Sequence, residues 1–176
     1  MRRALLLVDV INGFDHEDGD ALLASFRARH RSLVAALDLA RAQGLPVIYA
    51  NDSWGVWDGD APKLVREAIA RRGGEHVAAV SPRDGDAFVV KPRYSAFDHT
   101  PLVLILRELG VELALLAGTA TEMCIVQTAI DARELGFKVT VLADACACVD
   151  ERLEALGLEY LEAVVGCRVA RVSEVL

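Results

Sequence analysis

Three side chains in this sequence stand where they could do chemistry together: Asp9, Lys91 and Cys124. Cys124 comes after an apolar run starting near residue 112 and the segment Gly118-Thr119-Ala120-Thr121-Glu122-Met123, which reads as a buried strand, a tight turn and a helix start. A helix N-terminus offers unpaired backbone N–H groups and a partial positive charge, and both favour thiolate over thiol. An ordinary cysteine is only about 3% thiolate at pH 7, so a nucleophilic role predicts a pKa lowered by about two units. Thr121 is expected to cap this helix, making Cys124 its third residue. The N–H groups of the turn would then be placed to polarise a carbonyl.

Asp9 interrupts the apolar run Leu5-Leu6-Leu7-Val8-Asp9-Val10-Ile11. A carboxylate there is costly unless it is paired or sits at a strand end near solvent. It is either a structural cap or ion pair, or a catalytic acid–base group. Lys91 is one of three lysines set against sixteen arginines. At the end of an apolar strand it reads as a compact ammonium required for its shape, or as an ordinary surface lysine.

Short apolar runs alternate with helical patterns. Strands are predicted at residues 4–10, 46–50, 87–90, 112–117, 138–142 and 168–173, and helices at 21–43, 62–71, 100–109, 122–135 and 151–164. Strand–helix alternation builds βαβ units, so the expected fold is α/β: a three-layer, doubly wound sheet of about six mainly parallel strands. No linker or repeat divides the chain, which reads as one domain over residues 1–176. In such sheets ligands bind beyond the carboxyl ends of the strands, where strand order reverses. A Rossmann-like 3-2-1-4-5-6 order would set Asp9 and Cys124 face to face across that crevice.

The bulk properties narrow the partners. Hydrophobic residues make up 53% of the chain and aromatics 6%, so the core must be mostly Leu, Val and Ala. A net charge of −7 with no basic run argues against nucleic acid, and no basic amphipathic helix supports membrane binding. The first apolar stretch is broken by Asp9 and is too short for a signal peptide or a membrane span. No CxxC occurs, and Cys146, Cys148 and Cys167 read as small buried apolar residues. The expectation is a cytoplasmic protein with reduced thiols.

The chain resembles the isochorismatase-like cysteine hydrolases, which include nicotinamidases and N-carbamoylsarcosine amidohydrolases. The marks are Leu-Leu-Val-Asp9-Val, Lys91-Pro-Arg-Tyr-Ser-Ala-Phe97 with Thr100 and Leu102 following, and Gly118-Thr-Ala-Thr-Glu-Met-Cys124-Ile-Val-Gln-Thr-Ala129. The resemblance implies an Asp9–Lys91–Cys124 triad, a cis peptide between Thr119 and Ala120, and an oxyanion hole from the N–H groups of Ala120 and Cys124. It also implies hydrolysis of a C–N bond in a small amide, carbamoyl or ureido substrate through a thioester. Assembly into a homo-oligomer is expected, with no cofactor.

Two features depart from the family pattern. Many nicotinamidases hold a metal with Asp-x-His after the second strand, whereas here Asp52-Ser53-Trp54 stands there, and no metal is expected. Ile11 occupies a position that relatives often give to Gln. Phe14, Asn51, Trp57 and Tyr94 are the expected substrate-binding residues, although Trp54 and Trp57 read equally as packing in a subunit contact. The alternatives are an enol-ether hydrolase of the isochorismatase type, against which Cys124 argues, and a non-catalytic ligand-binding relative. The sequence does not name the substrate.

Overall fold

A computed structural model describes residues 1–56 and 58–176. Six strands form one all-parallel sheet: β1 (Arg3–Val8), β2 (Val47–Asn51), β3 (Ala87–Val90), β4 (Leu113–Thr119), β5 (Lys138–Ala147) and β6 (Arg168–Ala170). Their order is β3-β2-β1-β4-β5-β6, the expected doubly wound arrangement. Strand order reverses between β1 and β4, which pair in parallel from Arg3↔Leu113 to Val8↔Gly118.

Alternation along β1 builds the layers. Leu5 and Leu7 point to one face and pack with Phe26, Leu33 and Leu37 of α1 (Gly19–Ala42) and with Val77 of α3 (Gly74–Ala79). Ala4, Leu6 and Val8 point to the other face, against Leu102 and Leu106 of α4 (Leu102–Glu108) and Ala129 and Ala132 of α5 (Val126–Glu134). Both faces of the sheet are thus covered, as all-parallel sheets require. Helices α2 (Ala61–Ile69) and α6 (Glu151–Tyr160) complete the set.

The differences from the expected elements have local causes. β1 stops at Val8, and Asp9 turns out of it with φ of 50°. That left-handed region is uncommon for a side-chain-bearing residue but comparatively open to Asp. β4 runs through Gly118 and Thr119 rather than turning there, because Gly118 adopts φ of 131° and lies against β1. A Cβ at Gly118 would meet the Val8 carbonyl oxygen at 2.0 Å. β5 continues to Ala147 past an irregularity, so Gly118 pairs with Cys146. α3 was not expected, because Gly73-Gly74 reads as a break. Gly73 is indeed left-handed, but a helix starts directly after it. No described helix is long and apolar enough to cross a membrane.

Candidate active site

Strand ends bring the three reactive side chains together. Asp9 lies just beyond β1, and its backbone N–H still donates to the Ala50 carbonyl at 3.0 Å. Its carbonyl accepts the Thr119 hydroxyl at 3.0 Å, which ties the end of β1 to the end of β4. Its carboxylate receives the Asp52 N–H on Oδ1 at 2.8 Å and the Lys91 ammonium on Oδ2 at 2.7 Å. Lys91 follows β3 and is almost fully buried. Its Nζ also donates to the Arg93 carbonyl at 2.9 Å and contacts Cys124 Sγ at 3.5 Å. Three donors meet three acceptors, so this buried ammonium is fully satisfied.

Cys124 sits in a π-helical turn, Thr121–Ile125, that leads into α5. π-turns are rare and recur at functional sites. The Thr119–Ala120 peptide before it is cis. Ala120, not Thr121, occupies the capping position. The Thr121 hydroxyl points instead to Glu154 Oε1 at 2.8 Å and the Ala147 carbonyl at 3.2 Å. Glu154 in turn pairs with Arg29 at 3.0 Å. Glu122 Oε1 accepts the N–H groups of Val149 and Asp150 at 2.7 and 2.9 Å. The turn is therefore bolted to the loop after β5 by Glu122 and to α6 by Glu154. Neither carries a sequence signal of its own, since both read as ordinary helix-surface glutamates. No described residue accepts the Ala120 N–H, and none outside its own helical turn accepts that of Cys124.

The electrostatics correct one expectation. Burial and the Asp9 charge push the Cys124 thiol up to about 12, and Lys91 offsets this only in part. This direction is opposite to the lowering expected at a helix terminus. Burial also raises the Asp9 carboxyl above its ordinary range, against the pull of Lys91. Burial works against the charge on Lys91, but Asp9 and Cys124 outweigh it and hold the ammonium above its ordinary value. The Lys91 ammonium touches both groups, so the carboxylate and the thiol share one neighbour at the base of the site.

A cavity of about 220 Å³ opens over the sulfur, lined by Asp9, Lys91, Thr119, Ala120 and Cys124 at its base. Tyr94 and Trp54, both about half exposed, stand at its rim. Phe14 and Asn51 do not reach it. Phe14 has φ of 55° and packs against Phe26 in the core, with ring centroids 5.3 Å apart. Both Asn51 amide N–H groups are used, donating to the carbonyls of Ile11 and Asp52, while its Oδ1 accepts the Ile11 N–H. Its work is to clamp the loop after β1. Trp57 lies outside the described residues. Asn12, His16, Asp18 and Met123, not singled out as pocket residues from sequence, also line the cavity.

At the position of the metal-binding Asp-x-His motif, Asp52 Oδ1 accepts the Trp54 N–H at 2.6 Å, and Trp54 offers no metal ligand. Among the described residues no three His, Cys, Asp or Glu side chains are grouped to hold a metal. This donor set does not fit a metal centre of that kind.

Comparison with known proteins agrees with this fold. The Isochorismatase domain model matches residues 3–173. The uncharacterized isochorismatase family protein YaaI of Bacillus subtilis (strain 168) is 29% identical over 174 residues, covering 99% of this chain and 96% of YaaI. Ureidoacrylate amidohydrolase RutB of Klebsiella pneumoniae is 30% identical over 169 residues, 81% of this chain and 72% of RutB. The crystal structure of N-carbamoylsarcosine amidase from Thermoplasma acidophilum matches with a TM-score of 0.75 at 28% identity, covering 99% of each chain. A sheet of this order, with a cavity at its switch point and a match spanning nearly the whole sequence, makes this chain a member of the isochorismatase family.

Proposed function

We propose that this protein is a cysteine-dependent, metal-independent amidohydrolase that cleaves a C–N bond in a small amide, carbamoyl or ureido compound. One observation carries the reading: a buried ammonium bridges a carboxylate at 2.7 Å and a thiol at 3.5 Å beneath an open cavity. RutB, named as an amidohydrolase, supports the bond type.

In this reading Asp9 takes the Cys124 proton as the sulfur attacks the carbonyl carbon. Lys91 stabilises the developing thiolate, and the N–H groups of Ala120 and Cys124 hold the oxyanion. Protonated Asp9 returns the proton to the leaving nitrogen, and the C–N bond breaks to leave a thioester. Asp9 then deprotonates a water that hydrolyses the thioester and regenerates the thiol. A carboxyl that must both take and return a proton benefits from a pKa above its ordinary value, the direction that burial gives Asp9.

We read the whole chain as one hydrolase domain built on the single sheet. A cytoplasmic setting is supported by four cysteines that are all unpaired and buried. Self-association is supported by Leu153, Leu156, Tyr160 and Val164, exposed and spaced three or four residues apart from α6 onward. Light scattering in solution tests it: a mass above 19.0 kDa is expected, and a monomer at micromolar concentration refutes it.

The function is tested by an ammonia-release screen over small amides and ureides, run with wild type and Cys124→Ala. At least one compound should release ammonia with wild type and none with the variant. Undiminished release by folded Cys124→Ala protein would refute the nucleophile.

A further inference from the structure

The cavity over Cys124 has a charge that the bond chemistry does not require. Lys91 is the only lysine or arginine among its described lining residues, and it is already tied to Asp9 and the thiol. The same cavity is lined by two further carboxylates, the exposed Asp18 and the partly buried Asp52, and by no arginine. Asp18 occupies the position before α1, yet its side chain makes no capping bond. Asp52 spends Oδ1 on the Trp54 N–H, and its Oδ2 takes no hydrogen bond from any described residue. The arginines that approach the loop after β1 are engaged elsewhere, Arg71 with Asp15 at 3.6 Å and Arg72 with Asp20.

The rim adds aromatic faces to this negative lining. His16 and Trp54 stack with ring centroids 5.9 Å apart and planes within 19°, and Tyr94 lines the same cavity. Aromatic faces attract cations, and carboxylates in a cleft with low-dielectric walls concentrate positively charged ligands. A substrate carboxylate would find no unengaged lysine or arginine among the described lining residues and would meet two like charges.

Taking Cys124 as the nucleophile, we propose that this site selects a cationic substrate, a small amide or ureide whose remaining portion bears an ammonium or quaternary ammonium group. It discriminates against carboxylates. That sets the chain apart from RutB, whose named substrate, a ureidoacrylate, is itself a carboxylate.

Charged thiol reagents test this without turnover. The 2-(trimethylammonio)ethyl, 2-sulfonatoethyl and methyl methanethiosulfonates are reacted with the protein, the modified cysteine is located by mass spectrometry, and each rate is divided by that for 2-mercaptoethanol. At low ionic strength the cationic reagent should modify Cys124 at least about tenfold faster than the anionic one. The ratio should fall toward unity in high salt and in Asp18→Asn/Asp52→Asn protein. An anionic rate equal to or above the cationic one overturns the proposal, as does a ratio that salt leaves unchanged. Because no amide is cleaved, the hydrolase reading fails separately: cation-selective labelling without ammonia release from any amide sinks only that reading, and amide cleavage with anion-selective labelling sinks only this one.

Discussion

Breaking the Asp9–Lys91 pair from one side should be far more harmful to stability than removing both partners. The two groups are 2.7 Å apart, with side chains 10% and 1% exposed. At an effective dielectric of about 20, opposite charges this close attract by roughly 6 kcal/mol, and the desolvation of both ions opposes that gain. Lys91→Met leaves Asp9 in an apolar site, and Asp9→Asn leaves an ammonium there without its counter-charge. Each single variant should cost about 3–5 kcal/mol at pH 7, whereas the double variant should cost much less than the sum. The expected coupling is at least about 2 kcal/mol. Urea unfolding at pH 7 reads this directly, since a loss of about 3 kcal/mol moves the midpoint by about 1 M or more. Lys91→Met should recover part of its loss at acid pH, because protonated Asp9 no longer needs the ammonium. The double variant should be folded and inactive. Additive single losses, or turnover by the double variant, would refute the view that this pair is kept for chemistry rather than stability.

Four further predictions follow from the same coordinates. Burial raises the Asp9 carboxyl, so the proton-accepting form is lost early as pH falls. The pH profile of kcat/KM should show an acid limb with a midpoint above 3.8, and no alkaline limb from the thiol below pH 10, because the thiol is held at about 12. The stability sign is opposite to that of a paired carboxylate. The unfolded thiol ionises near 9.0 and the folded one at about 12, so unfolding should become easier as pH rises through that window, as denaturation curves will show. Glu154→Ala removes the nearer of two acceptors of the Thr121 hydroxyl and the partner of the partly buried Arg29, and should cost about 2–3 kcal/mol in urea unfolding, with Glu154→Gln losing less. Gly118→Ala forces a Cβ to within 2.0 Å of the Val8 carbonyl oxygen, and its thermal midpoint should show a loss of more than about 3 kcal/mol.

The sheet was legible because its signals are periodic. Apolar runs separated by helical patterns mark a parallel sheet, and the predicted bounds of β3 match those found. Elements whose limits depend on tertiary contact were not legible. Gly118-Thr119 looks like a turn, yet pairing with β1 and β5 draws it into β4. The reactive residues were legible at three levels. Cys124 and Asp9 stand out locally, as a thiol behind a strand and a charge in an apolar run. Lys91 stands out mainly through resemblance, because nothing near residue 91 shows that it turns inward. Pocket walls were the least legible. Phe14 was expected to bind substrate, but its backbone is left-handed and its ring lies buried in the core. His16 and Asp18 carry no pocket signal in the sequence, yet both line the cavity. Side-chain direction in such loops follows from individual dihedrals, not from any repeat.

Rapid-quench mass spectrometry tests the central claim most directly. Wild-type protein is mixed with a compound that releases ammonia, quenched in acid within the first turnover, and digested. The peptide carrying Cys124 should gain the mass of the acyl portion of the substrate, and the gain should vanish as product forms. Full turnover with an unmodified Cys124 peptide at every time point would contradict covalent catalysis by this residue.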